Sequence, residues 1–187
     1  MGNSIIAIIK LLGFLASGSG SLFSEAIHSF ADTSNQALLM IGVKRSTKEA
    51  TDAFIYGYKK ERFLWALISA CGIFFVGAGV TTYHGIMTLL SPTEIHISQR
   101  TFIILGISLI IESITLGIAI NEIKKSSTHR KWRLIMEHGD PITLAVVYED
   151  TIAVIGVIIA ALGLLCSYIT KNPLRDSITS IIIGVLL

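Results

Sequence analysis

The chain reads as an all-α membrane protein, a bundle of six transmembrane helices, on three observations. Of its 187 residues 52% are hydrophobic, with a mean hydropathy of +0.70, above the roughly 45–50% apolar share of a soluble domain. Residues 63–90 contain no formally charged side chain, and residues 101–120 contain only Glu112. Each run reaches the roughly 20 residues needed to cross a hydrocarbon core of about 30 Å. Backbone groups in hydrocarbon need internal partners, so the runs are helices.

The elements follow in chain order. A first helix over 3–16 is apolar except for Asn3, Ser4 and Lys10, and an uncharged Ser/Gly turn at 17–21 leads to a second over 22–43. The third (63–90), fourth (101–123) and fifth (142–170) are long. The sixth, 174–187, covers only about 21 Å at 1.5 Å per residue, and the first starts almost at Met1. Both outer helices are therefore expected to be incomplete, and the sequence to be part of a longer protein. No cleavable signal peptide is expected, because the apolar start lacks a basic leader. Pro92, Pro141 and Pro173 fall in loops or at helix starts, where a missing donor is tolerated. Gly72, Gly77, Gly79 and Gly156 lie within helices, where small residues let backbones approach. Cys71 and Cys166 stand singly, without CxxC spacing.

Six basic residues lie between Lys44 and Arg62 and five between Lys124 and Arg133, against Arg100, Lys171 and Arg175 in the alternate loops. The positive-inside rule puts the basic loops and the N-terminus on the cytoplasmic or matrix side, without distinguishing a bacterial inner membrane from a mitochondrial one. The net charge of +2 thus reports topology, and no nucleic-acid partner is expected. The basic loops are solvated flanks beside lipid headgroups.

An ionisable group at mid-membrane costs at least about 2.5–3.5 kcal/mol on insertion scales, so the exceptions to the apolar pattern are informative. In the second helix Glu25, His28, Asp32 and Asn35 fall within an arc of about 80° at about 100° per residue. His28 and Asp32, four apart, can reach the same point, as two ligands of one ion must. In the fifth helix Glu149 and Asp150 are adjacent and diverge by about 100°, so one faces the site and the other a neighbouring helix or a watery cavity. One imidazole and two carboxylates suit and neutralise a divalent ion such as zinc. The competing account is interhelical hydrogen bonding. Against it, neither the second helix nor the fifth carries a base to pair with these acids.

At these residues the chain resembles the cation diffusion facilitators, zinc-type metal/proton antiporters with six membrane helices. SLFSEAIHSFADTSNQ is similar to that family's second helix, YGYKKERF to the loop after it, EDTIAVIGVIIA to the fifth helix and NPLRDSITSIIIG to the start of the sixth. Asn3 and Lys10 keep the spacing of a polar pair in the first. EAIHS and EDTIAVIG most resemble the branch that includes the mitochondrial zinc transporter of animals. The resemblance implies a cation-efflux transmembrane domain over 1–187 and metal ligands at His28, Asp32 and Asp150. Glu149, Asn35 and Glu25 are then metal or proton-path support. It also implies alternating access, a homodimer, and zinc as the transported ion, with manganese, iron or cobalt as other candidates, and no prosthetic group. Where members usually place His or Asp four residues before the helix-five aspartate, this chain has Val146. The cytoplasmic metal-sensing domain that follows the sixth helix in many members is not in this sequence, and no loop metal site is evident between Lys44 and Arg62.

The remaining polar residues have simpler assignments. Lys10 pairs with Glu112, with a proton-path role for Glu112 as the alternative. His84 is interfacial or hydrogen-bonded, Trp65, Trp132 and Tyr148 are anchors, and His129 and His138 lie in a basic loop. An enzyme is not expected: HExxH is absent, and EHGDP is not that motif. The functional alternative is a transport-inactive scaffold or a regulatory fragment of a metal transporter.

Overall fold

The computed structural model describes residues 2–49, 57–92, 95–126 and 141–187. Six helices run through them: α1 (Gly2–Ser17), α2 (Gly20–Ser46), α3 (Glu61–Leu90), α4 (Gln99–Ser126), α5 (Pro141–Thr170) and α6 (Leu174–Leu186). No strand occurs among the described residues. By length and composition α3, α4 and α5 can cross a membrane unaided, whereas α1 is apolar but shorter. At 27 residues α2 is long enough and carries the polar stripe instead. The side chain of Asn3, and residues Tyr56, His129, Trp132 and His138, lie outside what is described.

Packing makes α2 the hub, since it touches α1, α3, α5 and α6, while α4 closes the bundle against α1 and α5. Leu22, Leu105, Val157, Ala160, Leu164 and Ile183 form the main buried apolar cluster between α2, α4, α5 and α6. The apolar residues of α4 at Ile103, Ile107, Ile110, Ile114 and Ile118 recur at helical spacing and are exposed. An outer face that is this apolar fits lipid, not water.

α3 and α6 meet almost backbone to backbone. A Cβ at Gly85 would lie 2.7 Å from Ile181 Cγ1, and one at Gly184 would lie 2.9 Å from the Thr82 amide nitrogen. Both positions require glycine for this approach. Midway along α3, residues Ile73–Ala78 wind as a π-helix, a wider turn that often marks a functional element.

The start of α2 is held by a carboxylate from another helix. The turn is made by Gly18 at φ 70°, and Ser19 caps α2 by accepting from the Leu22 amide at 3.3 Å. Asp176, buried in the first turn of α6, accepts from the Gly20 amide at 2.6 Å, the Ser21 amide at 3.3 Å, Ser19 Oγ at 2.9 Å and Ser21 Oγ. One turn further in, Ser24 and Ser180 hydroxyls bond at 2.7 Å. A negative carboxylate against free N–H groups at a helix N-terminus is electrostatically favourable, the more so away from water. At the other end of α2, Lys44 and Arg45 complement its C-terminal carbonyls.

Candidate metal-transport site

The polar stripe of α2 faces the bundle interior, because this helix has neighbours on most sides. His28 is 2% exposed, Asp32 and Asn35 are each 7% exposed, and Glu25 is fully buried. His28 Nδ1 lies 3.6 Å from Asp32 Oδ1, beyond a good hydrogen bond. Neither ring nitrogen of His28 has a hydrogen-bond partner, nor do Asp32 Oδ1 and Glu149 Oε1. Four unpaired polar atoms in one buried region are rare, since buried polar groups are nearly always satisfied.

Asn35 joins three helices at this point. Its Nδ2 donates to Glu149 Oε2 from α5, and its Oδ1 accepts from Ser69 Oγ of α3 at 2.5 Å. The carboxyl groups of Asp32 and Glu149 face each other within hydrogen-bonding reach. Of the adjacent helix-five acids, it is therefore Glu149 that stands against Asp32 and Asn35. Asp150, half-buried, lies in electrostatic range of Glu112 and Glu149. No hydrogen bond or ion pair is seen from Asp150 to His28 or Asp32. The structure brings His28, Asp32, Asn35 and Glu149 together and leaves Asp150 one helix position away.

Glu25 belongs to a different group. It accepts from the Lys10 ammonium at 2.7 Å, and Lys10 also donates to Glu112 at 2.5 Å and to Ser29 Oγ at 3.0 Å. The expected Lys10–Glu112 pair is present, with Glu25 as a second acid. The base that the second helix lacks is supplied by α1. Two contributors gave no sequence signal: Ser69 sits in an apolar run and is indistinguishable from a packing serine. Asp176 lies four residues into a loop-to-helix stretch where an exposed acid is ordinary.

A cavity of about 500 Å³ opens onto the site, lined by His28, Asn35 and Leu39 of α2, Ala70 and Phe74 of α3, and Val146 and Glu149 of α5 among others. The α3 and α5 residues, and Asn35 and Leu39 of α2, come from the helix halves that adjoin the basic segments, and His28 lies deeper along α2. Val146 faces the same space as His28, so position 146 belongs to the site wall although its side chain cannot bind metal. Opposite the cavity, His84 stacks on Phe23 at a centroid distance of 4.1 Å, beside Phe14, in an aromatic contact. Among the described residues no three His, Cys, Asp or Glu side chains stand close enough together to hold an ion as they are.

The model of the cation efflux transmembrane domain matches residues 1–187. The chain is 43% identical to the mitochondrial proton-coupled zinc antiporter SLC30A9 of Mus musculus, over 99% of this chain and 33% of that protein. Identity to the same antiporter of Homo sapiens is 42%, with the same coverage. Metal tolerance protein C4 of Arabidopsis thaliana is 37% identical over 99% of this chain and 41% of its own length. The chain thus spans about a third of the length of the zinc antiporters it matches.

Proposed function

This chain belongs to the cation efflux family, and on that premise we propose that it carries divalent metal across a membrane, exchanging zinc for protons at a site around His28 and Asp32. The observation that carries the reading is the set of unpaired buried atoms on His28, Asp32 and Glu149 at the end of a cavity. A neutral imidazole and carboxylate oxygens left without donors are what a metal ion completes. The similarity to proteins named as proton-coupled zinc antiporters supports zinc and protons as the pair exchanged.

His28 and Asp32 supply two ligands from α2, and α5 supplies the third, which the family resemblance gives as Asp150. Glu149, bonded to Asn35, holds the α5 acid pair against α2 and shares a proton with Asp32 when metal is absent. Two carboxyls facing each other in low dielectric cannot both stay charged cheaply, so a proton takes the place of the cation. Coordination needs deprotonated carboxylates and neutral His28, so binding expels that proton and release recaptures it. When the cavity is open on one side at a time, that competition is antiport. Water completes the shell where Val146 stands, with Asn35 in support.

The proposal extends to placement: the N-terminus and basic segments lie on the cytoplasmic or matrix side, the cavity opens towards them, and two copies form a homodimer. Manganese, iron and cobalt remain alternative cargo. The test is zinc uptake into liposomes under an imposed pH gradient. Asp32→Ala and Asp150→Ala are each expected to abolish flux, and undiminished transport in both variants would refute the site. Stoichiometric zinc binding by the purified chain, lost in His28→Ala, separates a transporter from an inert scaffold.

A further inference from the structure

Lys10 is held in a way that differs from a simple ion pair. Its ammonium is wholly buried and donates to Glu25 Oε2 at 2.7 Å, Glu112 Oε1 at 2.5 Å and Ser29 Oγ at 3.0 Å. All three N–H groups are used. Three oxygens from two helices thus surround the nitrogen as ligands surround a cation. The second oxygens of the same acids, Glu25 Oε1 and Glu112 Oε2, are buried without a hydrogen-bond partner. A single positive charge balances one of the two buried carboxylates, so the other needs a proton or a second cationic charge. A divalent ion would balance both, and carboxylate plus hydroxyl oxygens are a fitting hard ligand set.

The position matters as much as the composition. Glu25 precedes His28 by three residues and Ser29 follows it by one, so this cage adjoins the site on the same helix. The cavity runs from His28 towards Asn35 and Leu39, whereas Glu25 lies one turn nearer the Asp176-held end of α2. The cage thus lies on the side of His28 away from the cavity.

We propose that Glu25, Glu112 and Ser29 form a second divalent-cation site, which the Lys10 ammonium occupies as a tethered substitute for the metal. Its role in transport rests on the function proposed above: the ammonium gives way as an ion passes and returns behind it, so the ion is not trapped. Removing the ammonium then exposes an empty metal site.

The experiment counts zinc bound per chain by equilibrium dialysis against zinc chloride alone, with thermal unfolding followed in parallel. Lys10→Ala is expected to bind one zinc more than the parent chain, and Lys10→Ala combined with Glu112→Gln to return to the parent's number. If Lys10→Ala is destabilised, zinc should raise its unfolding midpoint more than it raises the parent's. A folded Lys10→Ala chain with no extra ion overturns the proposal. So does one that stays unfolded in saturating zinc, because the metal then cannot replace the ammonium, and so does an extra ion that survives Glu112→Gln. Zinc bound by Lys10→Ala but not by the parent supports the cage and instead refutes the His28/Asp32 site.

Discussion

Asp32 and Glu149 face each other across the α2–α5 contact, and Asn35 fixes the second of them through its amide. Their separate roles can be told apart by isosteric change. Glu149→Gln keeps the contact to Asn35 and removes one charge, so zinc transport is expected to persist with fewer protons moved per ion. Asp150→Asn is expected to remove zinc binding itself. Equal loss of dialysable zinc in both variants would make Glu149 a ligand. At Val146, which shares the cavity with His28, Val146→His supplies a fourth ligand and should raise transport of zinc relative to manganese; an unchanged ratio in competition assays would place the new imidazole off the ion. Asn35→Leu leaves Ser69 and Glu149 without their bridge, and loss of such outer-shell support costs about 10–100-fold in metal affinity. That His28, Asp32 and Asn35 share one buried face of α2 was legible in the sequence because they recur at helical spacing in an apolar chain. Which acid of the helix-five pair turns inward was not, because adjacent residues differ only in rotation about α5, and tertiary packing sets that rotation. Glu25 shared the stripe's angle but lies beside Lys10, a partner fifteen residues away that angular arithmetic on one helix cannot see.

The helices themselves follow from composition, and their packing follows from where side chains are missing. α3 and α6 approach through Gly85 and Gly184, so Gly85→Leu forces Ile181 and its backbone aside. Such overpacking costs about 1–3 kcal/mol, and the expected result is a lower unfolding midpoint with zinc stoichiometry unchanged. Gly156 does a different job: a methyl there would sit 2.7 Å from Glu25 Oε1. The sequence marked Gly156 only as a small residue in a helix, since nothing local reveals that a carboxylate from α2 lies against it. The ends of α2 illustrate the same limit. Lys44 and Arg45 in its last turn are readable as dipole partners, whereas the acid at its first turn arrives from residue 176.

Across the described residues, carboxyl groups outnumber cationic side chains in the interior: Lys10 is the one buried lysine or arginine, beside buried Glu25, Asp32, Glu112 and Asp176 and half-buried Glu149 and Asp150. In the proposed exchange, a divalent ion and protons compete to balance that excess. Lowering pH adds protons to the free site and none to the occupied one, so zinc affinity must fall as pH falls. The expected slope is about tenfold per pH unit for each proton displaced per ion. Titration of zinc binding at several pH values checks this, and an affinity independent of pH would remove the basis for exchange. The six-helix class was legible because hydropathy is a sum over many residues and tolerates local error. The cavity was not, because it exists only where α2, α3 and α5 diverge.

The clasp of Asp176 on the first turn of α2 turns that helix into a lever with a fixed fulcrum. Asp32 lies about 18 Å along it from Gly20, at 1.5 Å per residue. A tilt of about 5° around the fulcrum swings Asp32 through roughly 1.6 Å, several times the tolerance of a zinc–oxygen bond. The same tilt leaves the serine-lined tip almost where it was. On the proposed site, grip on the ion would then be made and lost by an angular change small enough to keep the bundle packed.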